Sequence, residues 1–192
     1  MTSSPAPPPD REARFRAFFV QAHPDLLRFA QRRVHPSHAE DVAADAFLVA
    51  WRRFEEAPAL PGDRRAWLFG IARNCLLNTR RGEQRRTALA VRIADVGPGE
   101  ATWTADEIAE RVDLARAWQR LDAAQQEVLA LTAFDDLTSA EAARVLGTTA
   151  MGYRLRLMRA RRALRHHLDP TGSLLTGPIR TLAEPRPTSE EG

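Results

Sequence analysis

Trp67, Asn74, Asn78 and Arg81 fall at i, i+7, i+11 and i+14, which brings an aromatic ring, two amides and a guanidinium to one side of a helix. Arg73 and Arg80 stand beside them, and Arg85 and Arg86 extend the charge. Rings stack on unpaired bases, amides read base edges, and arginine holds phosphate. The pattern equally fits a solvated basic face, and from composition alone both readings stay open. A second set lies later: Arg154, Arg156, Arg159, Arg161, Arg162 and Arg165, with no acidic residue before Asp169. Six like charges on one helix repel unless a polyanion offsets them, so this set points to nucleic acid. A third set, Asp41, Asp45, Leu48 and Arg52, shares one helix side. It reads either as a solvated face with one stray leucine or as a docking surface for a basic partner helix.

Other chemistries find no support. There is no Gly-rich phosphate loop, no nucleophile elbow and no carboxylate pair placed for acid–base work. His166 and His167 are adjacent and so point to different sides, while His23, His35 and His38 lie at turns or helix starts, which argues against a metal site. Cys75 is the only cysteine, which excludes a disulfide within the chain and a cysteine zinc site. It sits on a predicted core face, where a thiol is inert. No catalysis, cofactor or metal is therefore expected. With 192 residues, 44% of them hydrophobic, the chain suffices for one domain or two small ones. The formal net charge is only +3, and all 28 basic residues are arginine. No apolar run approaches the roughly 18 residues of a membrane span, and the N-terminus lacks the apolar segment of a signal peptide, so a cytoplasmic protein is expected.

The elements that must position these residues are all helical. The Pro/Ser stretch 1–10 is a predicted disordered tail. Helices are expected over 11–21, with Phe15, Phe18 and Phe19 inward, and over 24–34, started by Pro24. Ser37 is the expected N-cap of a helix over 38–54, whose core face is Ala43, Phe47, Ala50, Trp51 and Phe54. A loop over 55–65, marked by Pro58, Pro61 and Gly62, leads into a helix over 66–86 that packs through Leu68, Ile71, Ala72, Cys75 and Leu76. Periodicity then fades over 87–106, an acidic linker. A second domain spans 107–168. There Thr138 and Glu141 form a capping box, and Gly147 is the expected left-handed end of a short helix. A long helix over 150–168 follows, packed through Tyr153, Leu157, Ala160 and Leu164. A capped short helix, a Gly turn and a long basic helix make a helix-turn-helix. Residues 169–192 read as a tail. The expected fold is all-α: two small helical domains, 11–86 and 107–168, joined by a flexible linker.

These elements carry a resemblance. A-E-D-V-A-A-D-A-F-L-V-A-W-R-R-F, at 39–54, looks like the helix with which bacterial sigma factors clamp RNA polymerase. A-W-L-F-G-I-A-R-N, at 66–74, is similar to the promoter-melting element of their extracytoplasmic-function group. L-T-S-A-E-A-A-R-V-L-G followed by R-L-R-L-M-R-A-R-R-A-L resembles that group's DNA-binding second domain. The resemblance covers the whole chain except its tails. It implies a promoter-specificity subunit whose partners are core RNA polymerase and promoter DNA, duplex and melted, and it leaves room for an anti-sigma factor. On that reading Asp41, Asp45, Leu48 and Arg52 bind polymerase. Trp67, Arg73, Asn74, Asn78, Arg80 and Arg81 bind the minus-ten element, with the preceding loop forming the pocket. Thr149, Arg154, Leu155, Met158, Arg159 and Arg162 bind the minus-35 element. The chain departs from the pattern at Ala44, where the family has glutamine, and at Met151-Gly152-Tyr153, where the family's helix opens G-T-V; the second change implies a promoter sequence of its own. A stand-alone helix-turn-helix regulator is the competing reading, separated by whether DNA binding needs core polymerase.

Overall fold

The computed structural model describes residues 10–79 and 104–169. Among these residues all regular secondary structure is helical: α1 (Arg11–Gln31), α2 (Pro36–Arg52), a single 3-10 turn (Phe54–Glu56), α3 (Pro61–Thr79), α4 (Ala105–Gln119), α5 (Ala123–Ala133), α6 (Ser139–Leu146) and α7 (Ala150–Leu168). Most of the predicted linker, nearly all of both predicted tails, and Arg80, Arg81, Arg85 and Arg86 lie outside the described residues.

The first unit is α1, α2 and α3 packed on one another. The sequence predicts two helices before residue 35, but the chain forms one, with Pro24 inside it. A proline costs an internal helix its i→i−4 hydrogen bond. Here the buried stripe Phe18, Ala22, Leu26 and Phe29 runs through the proline without a phase change. Its steps of four, four and three residues let tertiary packing outweigh the local penalty. The N-cap of α2 is His35 rather than Ser37: its Nδ1 accepts from the Ser37 amide at 3.4 Å, and Pro36 takes the first helical position, where no amide is needed. On α2 the predicted core face holds, with Ala43, Phe47, Ala50 and the following Phe54 buried and Trp51 half-buried. Phe15 sits edge-on to both Trp51 and Phe54, with ring centroids 5.0 and 5.1 Å apart. The predicted loop over 55–65 is shorter, because α3 already starts at Pro61, again a proline in the first turn.

The second unit is α4–α7, with α7 packed on α4, α5 and α6. Three capping boxes set its helix starts: Thr104 with Glu107, Asp122 with Gln125, and Thr138 with Glu141. Gly147 closes α6 at φ 62°, the left-handed conformation expected there. Tyr153, Leu157 and Ala160 are buried, and the Tyr153 hydroxyl donates to the Val128 carbonyl on α5 at 2.8 Å.

The two units touch. Helix α3 packs on α6, and three ion-pair groups join the faces. Arg33, fully buried, donates to the Asp135 carboxylate at 2.7 Å and to the Phe29 carbonyl at 3.0 Å; Arg32 pairs with the same carboxylate. Arg73 grips Glu127 through two nitrogens, at 2.6 and 3.1 Å. Arg144 of α6 pairs with Asp63 of α3. Burial lowers the Arg33 pKa from its ordinary value, and the charge and hydrogen bond of Asp135 act against that shift.

Candidate nucleic-acid interface

Helix α3 positions the first candidate set by burying one side and leaving another open. Leu68, Phe69, Ile71, Ala72 and Leu76 are buried, which fixes the rotation of the helix. Trp67 is then half-buried, while Asn74 and Asn78 are exposed. Trp67 and Asn74 line one cleft of about 270 Å³ with Pro58, Asp63, Gly70 and Arg144 among its walls. The structure thus brings together the ring, an amide and the proline loop that the sequence placed side by side. Asn78 lies one turn beyond Asn74 and does not line the cleft. Arg73 is on a different side: its side chain is 14% exposed and held by Glu127, whose own side chain is 4% exposed. In this arrangement Arg73 joins the two units and does not offer its charge to a phosphate.

The second set lies on α7. Arg154, Leu155, Met158, Arg159 and Arg162 are all exposed. The Thr149 hydroxyl accepts from the Gly152 amide at 3.0 Å and is the N-cap of α7, so its first task is structural. Two parts of the unusual opening have different roles. Tyr153 is fully buried and bonded to α5, whereas Met151 is 76% exposed. The tyrosine therefore belongs to the core and the methionine to the surface.

The third set, Asp41, Asp45, Leu48 and Arg52, is exposed along α2, clear of the core. Ala44 lies beside this row and lines a groove of about 410 Å³ with Phe19, His23, Glu40 and Phe47. Sequence reasoning missed Arg144 as a wall of the α3 cleft, Arg33 and Asp135 as a buried pair, and Met151 as an exposed part of the α7 face. Only Met151 left a signal, since it lies at i−4 from Leu155 and i−7 from Met158. Among the described residues no group of three or more His, Cys, Asp or Glu side chains is placed to hold a metal ion. No helix among them is long and apolar enough to cross a membrane.

Comparison with known proteins defines the class. Residues 18–86 match Sigma-70 region 2 and residues 111–164 match Sigma-70 region 4. The RNA polymerase sigma factor NccH of Alcaligenes xylosoxydans xylosoxydans is 34% identical over 156 residues, 76% of this chain and 82% of that protein. The RNA polymerase sigma factor CnrH of Cupriavidus metallidurans is 32% identical over 174 residues, covering 80% and 87%. The ECF RNA polymerase sigma factor SigL of Mycobacterium tuberculosis is 30% identical over 164 residues, covering 83% and 92%. Among solved structures, CnrH in complex with the cytosolic domain of CnrY aligns with a TM-score of 0.57 at 25% identity, over 83% of this chain and 90% of that one. The fold is also that of the sigma factor RpoE of Bartonella quintana, seen with the anti-sigma factor NepR, at a TM-score of 0.60 and 24% identity over 81% and 96%. The chain belongs to the extracytoplasmic-function group of the sigma-70 family, transcription initiation factors without catalysis of their own.

Proposed function

We propose that the chain binds core RNA polymerase and directs it to promoters with specific minus-ten and minus-35 elements. The exposed row on α2, Asp41, Asp45, Leu48 and Arg52, meets the polymerase, with the acidic residues suited to a basic partner helix and Leu48 to an apolar contact. The α3 cleft captures an unpaired minus-ten base, Trp67 stacking on it and Asn74 reading its edge. Asn78, Arg80 and Arg81 extend this strand contact. Helix α7 enters the major groove of the minus-35 element with Arg154, Leu155 and Met158 toward bases and Arg159 and Arg162 toward phosphates. Thr149 caps the helix beside the backbone.

The observation that supports this most directly is that the ring of Trp67 and the amide of Asn74 line one opening on α3 next to Pro58, all three residues belonging to the first unit and none depending on the Arg144 wall that α6 supplies. The experiment is strand opening by the full chain with core polymerase on a selected promoter, compared with the chain alone. Opening only in the presence of core, reduced by Asn74→Ala on duplex but much less on a pre-melted bubble, is the expected result. Equal loss on both templates assigns Asn74 a structural role, and tight duplex binding without core supports the stand-alone regulator. CnrH was solved with the cytosolic domain of CnrY and RpoE with the anti-sigma factor NepR. A protein partner of that kind fits this chain too, and the α2 groove with its exposed row gives it an apolar and acidic surface.

A further inference from the structure

The outward face of α7 is not simply basic. Tyr153, Leu157 and Ala160 fix the inward side. At about 100° per residue, these three fall within an arc of about 60°, and Met151, Leu155 and Met158 fall within a similar arc on the opposite side. All three are exposed, at 76%, 43% and 58%. Arg154 and Arg159 flank this apolar stripe at about 60–80° on either side, and Arg162 continues it one turn on. The part of α7 farthest from the core, in its first turns, is therefore apolar between two guanidinium groups. That is the part a helix in the major groove presents to base edges.

The chemistry of this face limits what it reads. Asparagine or glutamine suits adenine, aspartate or glutamate suits cytosine, arginine suits guanine, and apolar side chains suit the thymine methyl group. Helix α7 has no Asn, Gln, Asp or Glu. We propose that Met151, Leu155 and Met158 are specificity-determining residues that read thymine methyl groups in the upstream promoter element, with Arg154 and Arg159 beside them. The inference rests on the reading of α7 as a groove-binding helix and adds the class of base it selects. The flanking arginines favour a polyanion over an apolar protein segment on this stripe.

The test uses the full chain assembled with core polymerase. A promoter library is selected, and the enriched upstream element is resynthesised with deoxyuridine at one thymine at a time. Deoxyuridine keeps the pairing and the hydrogen-bonding edge and lacks only the methyl group. The expected result is weaker binding by about fourfold at the thymines under the stripe, which corresponds to about 0.8 kcal/mol for one buried carbon. Leu155→Ala and Met158→Ala should each remove the sensitivity at one thymine, while Arg154→Ala should leave it. Circular dichroism of the variants checks that these exposed substitutions leave the helices intact. An enriched element that tolerates every deoxyuridine overturns the methyl reading while groove binding stands. Sensitivity that persists in Met151→Ala, Leu155→Ala and Met158→Ala assigns it to other residues and overturns the inference as well. If no upstream element is enriched at all, the proposed role of α7 fails, and the inference with it.

Discussion

Asp135→Asn keeps the shape of the side chain and removes its charge. Asp135 is fully buried and serves both Arg33 and Arg32 across the contact between the two units. Arg32 also donates to the Phe134 carbonyl at 3.2 Å, and its side chain is 14% exposed, so it can turn to water. Arg33 has no such route, because its side chain is 0% exposed. Removing one partner of a buried pair typically costs about 3–5 kcal/mol, against a total stability of about 5–15 kcal/mol for a folded domain. A single cooperative unit of this size would lose roughly 6–20 °C in melting temperature. The chain has a cheaper response: parting of the two units lets water reach Arg33 while α1–α3 and α4–α7 keep their own cores. The expected outcome is a lower first melting transition, an increased radius of gyration by small-angle scattering, and unchanged helical content at room temperature. Arg33→Met combined with Asp135→Leu replaces the pair by apolar groups of similar volume and should recover most of the loss. If Asp135→Asn melts and scatters like the parent, or if the double variant is no better than the single, the buried pair does not hold the interface.

Promoter elements about 25 base pairs apart are separated by roughly 85 Å of duplex, whereas α3 and α6 are in contact. The interface is therefore expected to part in the polymerase–promoter complex; dyes on Arg16→Cys and Arg165→Cys, in a Cys75→Ser background, should move apart on adding core enzyme and promoter, and an unchanged distance refutes this. Tyr153→Phe leaves the buried Val128 carbonyl without its 2.8 Å donor and takes the phenolic oxygen from Thr132. A loss of about 1–3 kcal/mol is expected in urea unfolding, with no change in upstream sequence preference, since the ring faces away from the exposed side of α7. Burial, and secondarily the charge of Asp45, raises the Cys75 pKa above its ordinary value. The folded state thus favours the protonated thiol, so this contribution to stability is fully present below the unfolded pKa and is lost as pH rises through the folded pKa; the folded chain should be alkylated more slowly, and only at higher pH, than the unfolded chain, and labelling at equal rates would contradict the burial.

Much of this fold was legible because its signals are local. The spacing of Leu68, Ile71, Ala72 and Leu76 fixed the rotation of α3, and with it the side on which Trp67 and Asn74 meet. The Thr138–Glu141 box and Gly147 marked both ends of α6, and the burial pattern of Tyr153, Leu157 and Ala160 left the arginines of α7 outside. Each of these follows from the 3.6-residue period or from the chemistry of a helix end, which neighbours in the chain determine. The continuity of α1 through Pro24 required the stripe from Phe18 to Phe29 to find a partner in α2 and α3, which no local rule supplies. The contact between the units was farther from reach. Arg33 and Asp135 are 102 residues apart, and Arg73 and Glu127 are 54 apart. In the sequence Arg73 is one more charge on a basic helix, and Glu127 one more polar residue in α5. Only the packing of α3 against α6, which brings Glu127 of α5 alongside, takes both from water and pairs them across the joint between the two units.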